Sequence, residues 1–361
     1  MIPVYKPFLN GNEKKYVTEC LDSSWISSKG AFIDQFERKF SSYIGSPYAT
    51  SVSNGTVALH LALKTLGIGS GDEVIVPSLT YIASVNTIIE TGAKPVYVDS
   101  LLSTWQLDPD DIEKKITKKT KAILAVHLYG LPCDMDSLVT ICKQYRILLI
   151  EDCAEAFGSY YKNKHVGTFG DISTFSFFGN KTITTGEGGM VVSNQKDLID
   201  TAYHLKNQGV SKKIEYWHDS VAYNYRMTNI CAAIGLAQLE QADTILARKQ
   251  AIANNYLQSL AQLPLKVQFS PSFLKNSYWM FSILVSDLET RNNLRKFLAD
   301  FQIETRPVFY PSHHLPHCKT DDYLPNADYI SQRGINLPSF PDLLEDEIKF
   351  ICLKISDFYK N

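Results

Sequence analysis

The sequence predicts an α/β protein with a mostly parallel central sheet flanked by helices, and a smaller α+β domain at the C-terminus. Short, nearly continuous apolar runs, typical of strands buried on both faces, alternate with segments of helical spacing. Such alternation indicates strand–helix–strand crossovers, whose ligands lie beyond the carboxyl ends of the strands. From about Pro264 the pattern changes to a compact mixture of strands and helices. We therefore expect two domains, residues 1–260 and residues 261–361, because single cores stop growing at about 250–300 residues.

The predicted elements of the larger domain follow one another in a regular order. Residues 10–40 have helical spacing, interrupted by the turn-rich loop SSWISSKG at residues 23–30. Continuous apolar runs predict strands in DEVIVPS, KPVYVD, KAILAVHLYG, RILLIEDC, DISTFSFF and GGMVVSN. Apolar residues three and four positions apart predict helices over residues 53–68, 81–91, 134–145 and 229–260.

The smaller domain has a different pattern. We expect a strand in YWMFSILVSD, a helix in NNLRKFLADF and a strand in IETRPVF. A loop rich in Pro, His and Asp follows, and a last helix is predicted over residues 345–359.

Composition limits the classes of function. Hydrophobic residues make up 45% of the 361 residues and charged residues 20%, as in an ordinary folded enzyme, with no reason to expect a membrane protein. The 36 basic residues are spread along the chain against 38 acidic ones, which argues against a nucleic-acid partner. The seven cysteines form no CxxC pair, and the N-terminus has no basic region before an apolar run. We therefore expect a cytoplasmic protein with reduced thiols.

A lysine and an acid carry the predicted chemistry. Lys181 lies between an aromatic run and a glycine cluster in TFSFFGNKTITTGEGGM, residues 174–190. A buried ammonium group is unfavourable unless it is paired, deprotonated or used covalently, so Lys181 is either an exposed loop residue or a reacting one. Asp152 ends the predicted strand RILLIED, where an acid is also a common helix N-cap. Together the two residues favour a site for pyridoxal phosphate (PLP).

PLP needs four kinds of contact, and the sequence offers each of them. An amine must bond the aldehyde, and a carboxylate must face the pyridine nitrogen, because the protonated ring is the electron sink. Lys181 and Asp152 suit these roles. The phosphate favours amides at a helix N-terminus, which Gly55 and Thr56 supply. Tyr81 follows a predicted strand and could stack on the ring, although a lone tyrosine is more often part of a core.

Nine motifs make the whole chain resemble the DegT/DnrJ/EryC1/StrS sugar aminotransferases, which are fold-type I PLP-dependent transferases acting on nucleotide-linked keto sugars. The motifs are IPVYKPFLNGNE, DSSWISSKG, SVSNGTVALHLAL, GDEVIVPSLTYIASVN, HLYGLPCDM, IEDCAEAFG, GTFGDISTFSFFGNKTITTGEGGMV, YNYRMTNICAAIGLAQLE and RPVFYP. The resemblance implies that Lys181 is covalently bound to PLP, that Asp152 is the partner of the pyridine nitrogen and that Tyr81 stacks on the ring. A branch of the family that dehydrates the sugar has histidine in place of the lysine, so Lys181 argues against that branch.

The resemblance also implies further cofactor contacts. It places Ser176 at the phosphate with Gly55 and Thr56, and it has Asn224 of YNYRMTN reach that phosphate from the neighbouring subunit of a homodimer. Glu155 falls beside the 3-hydroxyl of the cofactor, where many relatives have glutamine or histidine.

Four residues are candidates for substrate binding. Trp25 and Ser27 belong to the N-terminal loop that the family folds near the substrate, and Tyr310 and His313 belong to the RPVFYPSH loop over the sugar pocket. For each of them simple core or loop packing is the alternative.

The function implied is conversion of GDP-4-keto-6-deoxy-D-mannose to GDP-perosamine with L-glutamate as amino donor, a step of O-antigen lipopolysaccharide biosynthesis. Three sequence segments resemble the members of the family that aminate this GDP-linked sugar. They are FFGNKTITTGEGGM, YWHD before YNYRMTN, and RGINLPSFP. The alternatives are the same amination on a dTDP- or UDP-linked sugar, or a catalytically silent member that binds PLP or a nucleotide sugar.

Three other motifs indicate no further cofactor. GIGSGDE precedes a strand, whereas a dinucleotide-binding loop must follow one. FFGNKT lacks the earlier glycine of a P-loop. HHLPHC has the residue types of a zinc site, but the sequence supplies no matching ligand pair, so we expect no metal.

Overall fold

The computed structural model describes residues 1–360. In that range the chain forms strands β1 Tyr48–Val52, β2 Glu73–Pro77, β3 Lys94–Val98, β4 Thr120–Val126, β5 Leu148–Asp152, β6 Tyr160–Tyr161, β7 Lys164–His165, β8 Ile172–Ser176, β9 Gly189–Ser193, β10 Leu274–Lys275, β11 Phe281–Leu284, β12 Arg306–Pro307 and β13 Gly334–Leu337. Its α-helices are α1 Glu13–Asp22, α2 Ala31–Ile44, α3 Gly55–Thr65, α4 Ala83–Glu90, α5 Pro109–Lys115, α6 Met135–Tyr145, α7 Lys196–Lys206, α8 Asn229–Glu240, α9 Ala242–Ser259, α10 Leu288–Asp300, α11 Pro325–Arg333 and α12 Glu345–Lys360.

The central sheet has the strand order β1-β9-β8-β5-β4-β2-β3. Strands β3, β2, β4, β5 and β8 run parallel to one another, while β9 is antiparallel to both β8 and β1. The predicted α/β class with a mostly parallel sheet is therefore confirmed. Because β5 and β8 are parallel neighbours, with Asp152 opposite Thr174, their carboxyl ends meet at one edge of the sheet.

Helices cover both faces of this sheet. In β2, Val74 and Val76 belong to one apolar cluster together with residues of α3, α4 and α7, and Ile75 belongs to another with residues of α6. Successive residues of a strand point to opposite faces, so a strand buried on both faces needs an unbroken apolar run. DEVIVPS is such a run.

A second sheet, β11-β13-β12, is antiparallel and lies in the C-terminal part of the chain. Its core includes Phe281, Ile335 and Ile351, and also Ile252 and Tyr256 of α9. The division after residue 260 remains a prediction. It falls at the end of α9, a helix whose side chains already belong to the core of the smaller sheet.

Several elements differ from the sequence prediction, and among those not predicted are helices α5 and α7 and the two-residue strands β6, β7 and β10. The long helix expected over residues 229–260 is two helices, α8 and α9, separated at Gln241. The loop rich in Pro, His and Asp ends in helix α11, which begins with Pro325, and leads into β13. Strand β1 was not predicted. Within the described range no helix combines the length and apolar character needed to cross a bilayer.

Candidate active site

A cavity of about 600 Å³ lies at the carboxyl ends of β5 and β8, between the central sheet and the smaller sheet. The start of α3 and the segment before α4 line one side, and Arg306 and Asn336 of the smaller sheet line another. The structure brings seven of the predicted site residues into this cavity, namely Gly55, Thr56, Tyr81, Asp152, Glu155, Ser176 and Lys181.

Lys181 is partly buried in the loop after β8. Its Nζ lies 4.0 Å from the centroid of the Trp279 ring, and the Tyr5 hydroxyl donates to its backbone carbonyl at 2.6 Å. Burial lowers the pKa of the Lys181 amine, and the nearby Glu155 and Asp152 carboxylates partly oppose this shift. A lowered pKa increases the neutral fraction of the amine, which is the form that attacks a carbonyl carbon.

Asp152 ends β5 and is 4% exposed. Its Oδ1 accepts from the Ala154 amide at 3.0 Å, and its Oδ2 accepts from the Ser84 hydroxyl at 2.8 Å. Burial raises the pKa of Asp152, while these two hydrogen bonds and the charge of Lys181 lower it. No α-helix begins in residues 153–159, so the helix N-cap alternative does not explain this acid.

Glu151, the residue before it, points into a different environment. Its carboxylate accepts from the amides of Gly167, Phe169 and Gly170 at 2.7–2.8 Å, and lies 3.1 Å from His127 Nε2. Burial alone would raise the pKa of Glu151, but these hydrogen bonds outweigh it and lower the pKa. Glu151 therefore stabilises the loop after β7, and Asp152 is the acid that faces the cavity.

The N-terminus of α3 lines the cavity beside Ser176. Asn54 caps the helix through its side chain, which accepts from the Val57 amide at 2.9 Å. A Cβ atom on Gly55 would lie 2.6 Å from Ser176 Cβ, so glycine is required for the helix to approach β8 this closely. The amides of a helix N-terminus, together with the Ser176 hydroxyl, suit a phosphate group.

Two further predicted residues line the cavity. Tyr81 is 56% exposed, and its ring centroid lies 5.6 Å from that of Phe309. Glu155 is 4% exposed, and its Oε2 accepts from the Tyr129 amide at 2.8 Å. Burial raises the pKa of Glu155 to about 7, and the charge of Lys181 opposes the shift.

The remaining five predicted residues do not line this cavity. Asn224 is exposed, and its Oδ1 accepts from Arg226 Nε at 2.9 Å. Trp25 and Ser27 are exposed in the loop between α1 and α2, and Tyr310 is 58% exposed. His313 is only 1% exposed, with its Nδ1 at 2.7 Å from the Ser78 hydroxyl.

The fold brings Asp328 next to the two adjacent histidines of the HHLPHC motif. The side chains of His313, His314 and Asp328 meet within 4.8 Å. His314 Nε2 lies 2.6 Å from Asp328 Oδ1, and His313 is bonded to Ser78. The three side chains are thus already paired by hydrogen bonds.

Several cavity residues were not predicted. Ser84 holds Asp152, Trp279 covers Lys181, and Arg306 with Asn336 comes from paired strands of the smaller sheet. The RPVF segment was predicted as a strand, but no pattern in it indicates that Arg306 lines the cavity. Ser84 and Trp279 carry no local pattern that distinguishes them from packing residues.

The structure is an α/β fold in which one cavity holds a lysine, a buried carboxylate and the N-terminus of a helix. The sequence profile of the DegT/DnrJ/EryC1/StrS aminotransferase family matches residues 7–356, and the chain belongs to this family. It is 59% identical over 361 residues to the GDP-perosamine synthase of Escherichia coli O157:H7, covering 100% of this chain and 99% of the relative. It is 53% identical over 364 residues to the GDP-perosamine synthase of Vibrio cholerae, covering 99% of both chains.

A solved structure has the same architecture. The PLP-form of the putative sugar aminotransferase Spr1654 from Streptococcus pneumoniae superposes with a TM-score of 0.95 at 30% identity. The match covers 99% of this chain and 98% of that one.

Proposed function

We propose that this protein is a PLP-dependent nucleotide-sugar 4-aminotransferase that converts GDP-4-keto-6-deoxy-D-mannose to GDP-perosamine, with L-glutamate as the amino donor. The observation that carries the proposal is the placement of Lys181 and Asp152 in one cavity beside the N-terminus of α3. Full-length similarity to two proteins named GDP-perosamine synthase supports the choice of substrate. The reaction would take place in the cytoplasm and supply a sugar for O-antigen lipopolysaccharide.

The residues present fit PLP. Because position 55 is glycine, the N-terminus of α3 lies directly against the Ser176 side chain, so helix amides and a hydroxyl lie together at the cavity, as a phosphate site requires. Asn180, which also belongs to the cavity lining, has a buried Oδ1 that finds no hydrogen-bond partner among residues 1–360. When bound, PLP supplies an aldehyde and an electron-withdrawing ring that stabilises negative charge on the substrate carbon.

Lys181 and Asp152 would perform the proton transfers and hold the charge. The Lys181 Nζ, with its lowered pKa, would bond PLP at rest. Once released, it would carry a proton from the donor's α-carbon to the cofactor in the first half-reaction, and from the cofactor to C4 of the sugar in the second. Asp152, held by Ser84 and Ala154, would keep a proton on the pyridine nitrogen. Its burial strengthens that pairing, because charges interact more strongly away from water.

The other cavity residues would orient the reactants. We propose that Tyr81 stacks on the ring and that Glu155 bonds the cofactor's 3-hydroxyl. Glu155 has a pKa of about 7, so it can act as either donor or acceptor at neutral pH. Gly55, Thr56 and Ser176 would hold the phosphate, and Arg306 offers a cation for an anionic substrate.

A homodimer with shared sites accounts for the residues outside the cavity. Asn224 is exposed and would complete the phosphate site of the neighbouring subunit. Large apolar side chains nearby in sequence are exposed on this chain, including Tyr216, Trp217 and Val221, as expected of a surface that a second subunit covers. Trp25, Ser27, Tyr310 and His313 remain proposed substrate contacts.

The test is a panel of GDP-, dTDP- and UDP-linked 4-keto-6-deoxy sugars with glutamate, in which the product is measured by mass. We expect amination of the GDP-linked sugar to dominate. Preference for a dTDP- or UDP-linked sugar would contradict the substrate assignment and leave the chemistry intact. No product from any sugar, with PLP bound, would indicate a catalytically silent member.

A further inference from the structure

Lys249 of α9 is a buried cation that the proposed reaction does not use. Its side chain is 1% exposed, and within residues 1–360 it forms no ion pair with a carboxylate, while its Nζ bonds two carbonyl groups. Burial lowers the pKa of Lys249 to about 7, and no charged group in the described part of the chain opposes the shift. Burying such a group is unfavourable, and an apolar side chain would fill the same space without that penalty.

The Nζ of Lys249 joins three separate segments of the chain. It donates to the Trp279 carbonyl at 3.1 Å, just before β11, and to the Ser339 carbonyl at 2.6 Å, just after β13. It also lies 5.3 Å from the centroid of the Tyr5 ring, in the N-terminal arm. An ammonium group has three donors, so it can hold two carbonyls and a ring face around one point.

Two of these segments hold Lys181. The Tyr5 hydroxyl donates to the Lys181 carbonyl at 2.6 Å. The Trp279 indole donates to the Asn180 carbonyl at 2.6 Å, and its ring lies 4.0 Å from Lys181 Nζ. Lys249 thus contacts both residues that bond the backbone at positions 180 and 181, through the Trp279 carbonyl and the Tyr5 ring.

We propose that Lys249 is a positioning residue for Lys181: its side-chain amino group, bonded to the Trp279 carbonyl and placed against the Tyr5 ring, holds Trp279 and Tyr5 where they fix the reacting lysine in the cavity. The inference rests on the proposed function, in which Lys181 is the reacting amine. Lys249 touches neither cofactor nor substrate, and it acts only through Trp279 and Tyr5.

The proposal makes a specific statement about the amine of Lys181. Its pKa is lowered from 10.5 chiefly by burial, and Trp279 covers its Nζ. If Trp279 and Tyr5 lose their common anchor, water reaches the amine more easily, and its pKa rises toward the ordinary value.

The experiment measures that pKa in the cofactor-free protein, by competitive labelling with acetic anhydride across a pH series and mass spectrometry of the Lys181 peptide. Lys249→Met keeps the aliphatic bulk and removes the charge. The matched control is Tyr256→Phe, which also deletes a buried donor from α9, but one that bonds the Pro338 carbonyl at 3.0 Å rather than Trp279 or Tyr5.

We expect Lys249→Met to raise the pKa of Lys181 by roughly half a unit or more, and Tyr256→Phe to leave it at the native value. An unchanged pKa in Lys249→Met, or an equal rise in both variants, would overturn the proposal. If Lys249→Met does not fold, Lys249→Gln is judged by the same outcomes, because its amide can anchor only part of what the ammonium holds. Labelling needs no cofactor or substrate, so its result is independent of whether the wild-type protein aminates a sugar.

Discussion

The Ser84 hydroxyl donates to Asp152 Oδ2 at 2.8 Å, and so helix α4 holds the acid at the end of β5. This hydrogen bond lowers the pKa of Asp152 against the opposite effect of burial. The orientation and charge of the acid therefore depend on a residue 68 positions away in the chain.

Removal of the Ser84 hydroxyl should move the pH dependence of the reaction. In Ser84→Ala the pKa of Asp152 rises further, so the carboxylate forms only at higher pH. The acidic limb of the plot of turnover against pH therefore shifts to higher pH. Turnover at neutral pH should fall by less than in Asp152→Asn, for which we expect a loss on the order of 10²-fold with PLP still bound.

The matched control is Thr87→Val, one turn further along α4, because the Thr87 hydroxyl donates only to carbonyls of its own helix. Its profile should coincide with that of the wild type. An unchanged acidic limb in Ser84→Ala would show that Ser84 does not set the state of Asp152.

Gly55→Ala should weaken cofactor binding. The added Cβ would lie 2.6 Å from Ser176 Cβ, so α3 and β8 must separate and the phosphate cradle must distort. We expect an increase in the dissociation constant for PLP, measured by spectroscopic titration of the cofactor-free protein. Gly69→Ala is the control, since the nearest atom to its added Cβ lies at 3.6 Å. Equal affinities for the two variants would place the phosphate elsewhere.

Glu155 should give the cofactor-free protein a recognisable pH dependence of stability. Its pKa rises from 4.5 to about 7 on folding, so between these values the folded chain binds the proton more tightly than the unfolded chain. The contribution of this group is therefore fully present below pH 4.5 and is lost as the pH rises through about 7.

The variant Glu155→Gln cannot titrate. Its melting temperature relative to the wild type should therefore increase between about pH 5 and pH 8. Glu113→Gln, an exposed substitution on α5, controls for the loss of one acid. If the melting temperatures of Glu155→Gln and the wild type change with pH by the same amount across this range, the raised pKa of Glu155 is wrong.

The shared site can be tested by mixing subunits. If Lys181 and Asn224 of one site come from different chains, a heterodimer of Lys181→Ala and Asn224→Ala subunits has both lesions in one site and none in the other. Activity should then rise above that of either parent, toward about half of the native value per dimer. No gain after demonstrated subunit exchange would mean that Asn224 does not act across a subunit interface.

Much of the site could be predicted because the chemistry lies where parallel strands end. Asp152 ends β5 and Tyr81 lies four residues after β2, so recognition of the strands also located these two residues, whereas Ser176 at the end of β8 followed only from the resemblance to the family. The helix start at Gly55 carried its own capping pattern in SNGT. These signals lie within short segments, so a single sequence is enough to detect them.

The parts that were missed depend on packing between distant segments. Strand β13 has only four residues and follows α11 directly, so its apolar run is too short to distinguish from a loop. The break at Gln241 involves neither proline nor glycine, so the sequence carries no helix-breaking residue between α8 and α9. Trp279 and Ser84 reach the site through contacts that no spacing in the sequence encodes.

The most direct test of the account follows the nitrogen atom. The protein is incubated with PLP, GDP-4-keto-6-deoxy-D-mannose and L-glutamate labelled with a heavy isotope at its amino nitrogen, and the nucleotide sugar is analysed by mass spectrometry, with Lys181→Ala as the control. The account predicts a GDP-linked amino sugar that carries the heavy nitrogen, formed by the wild type and absent with Lys181→Ala. A wild-type product without the label, or an equal yield of labelled product from Lys181→Ala, would contradict it.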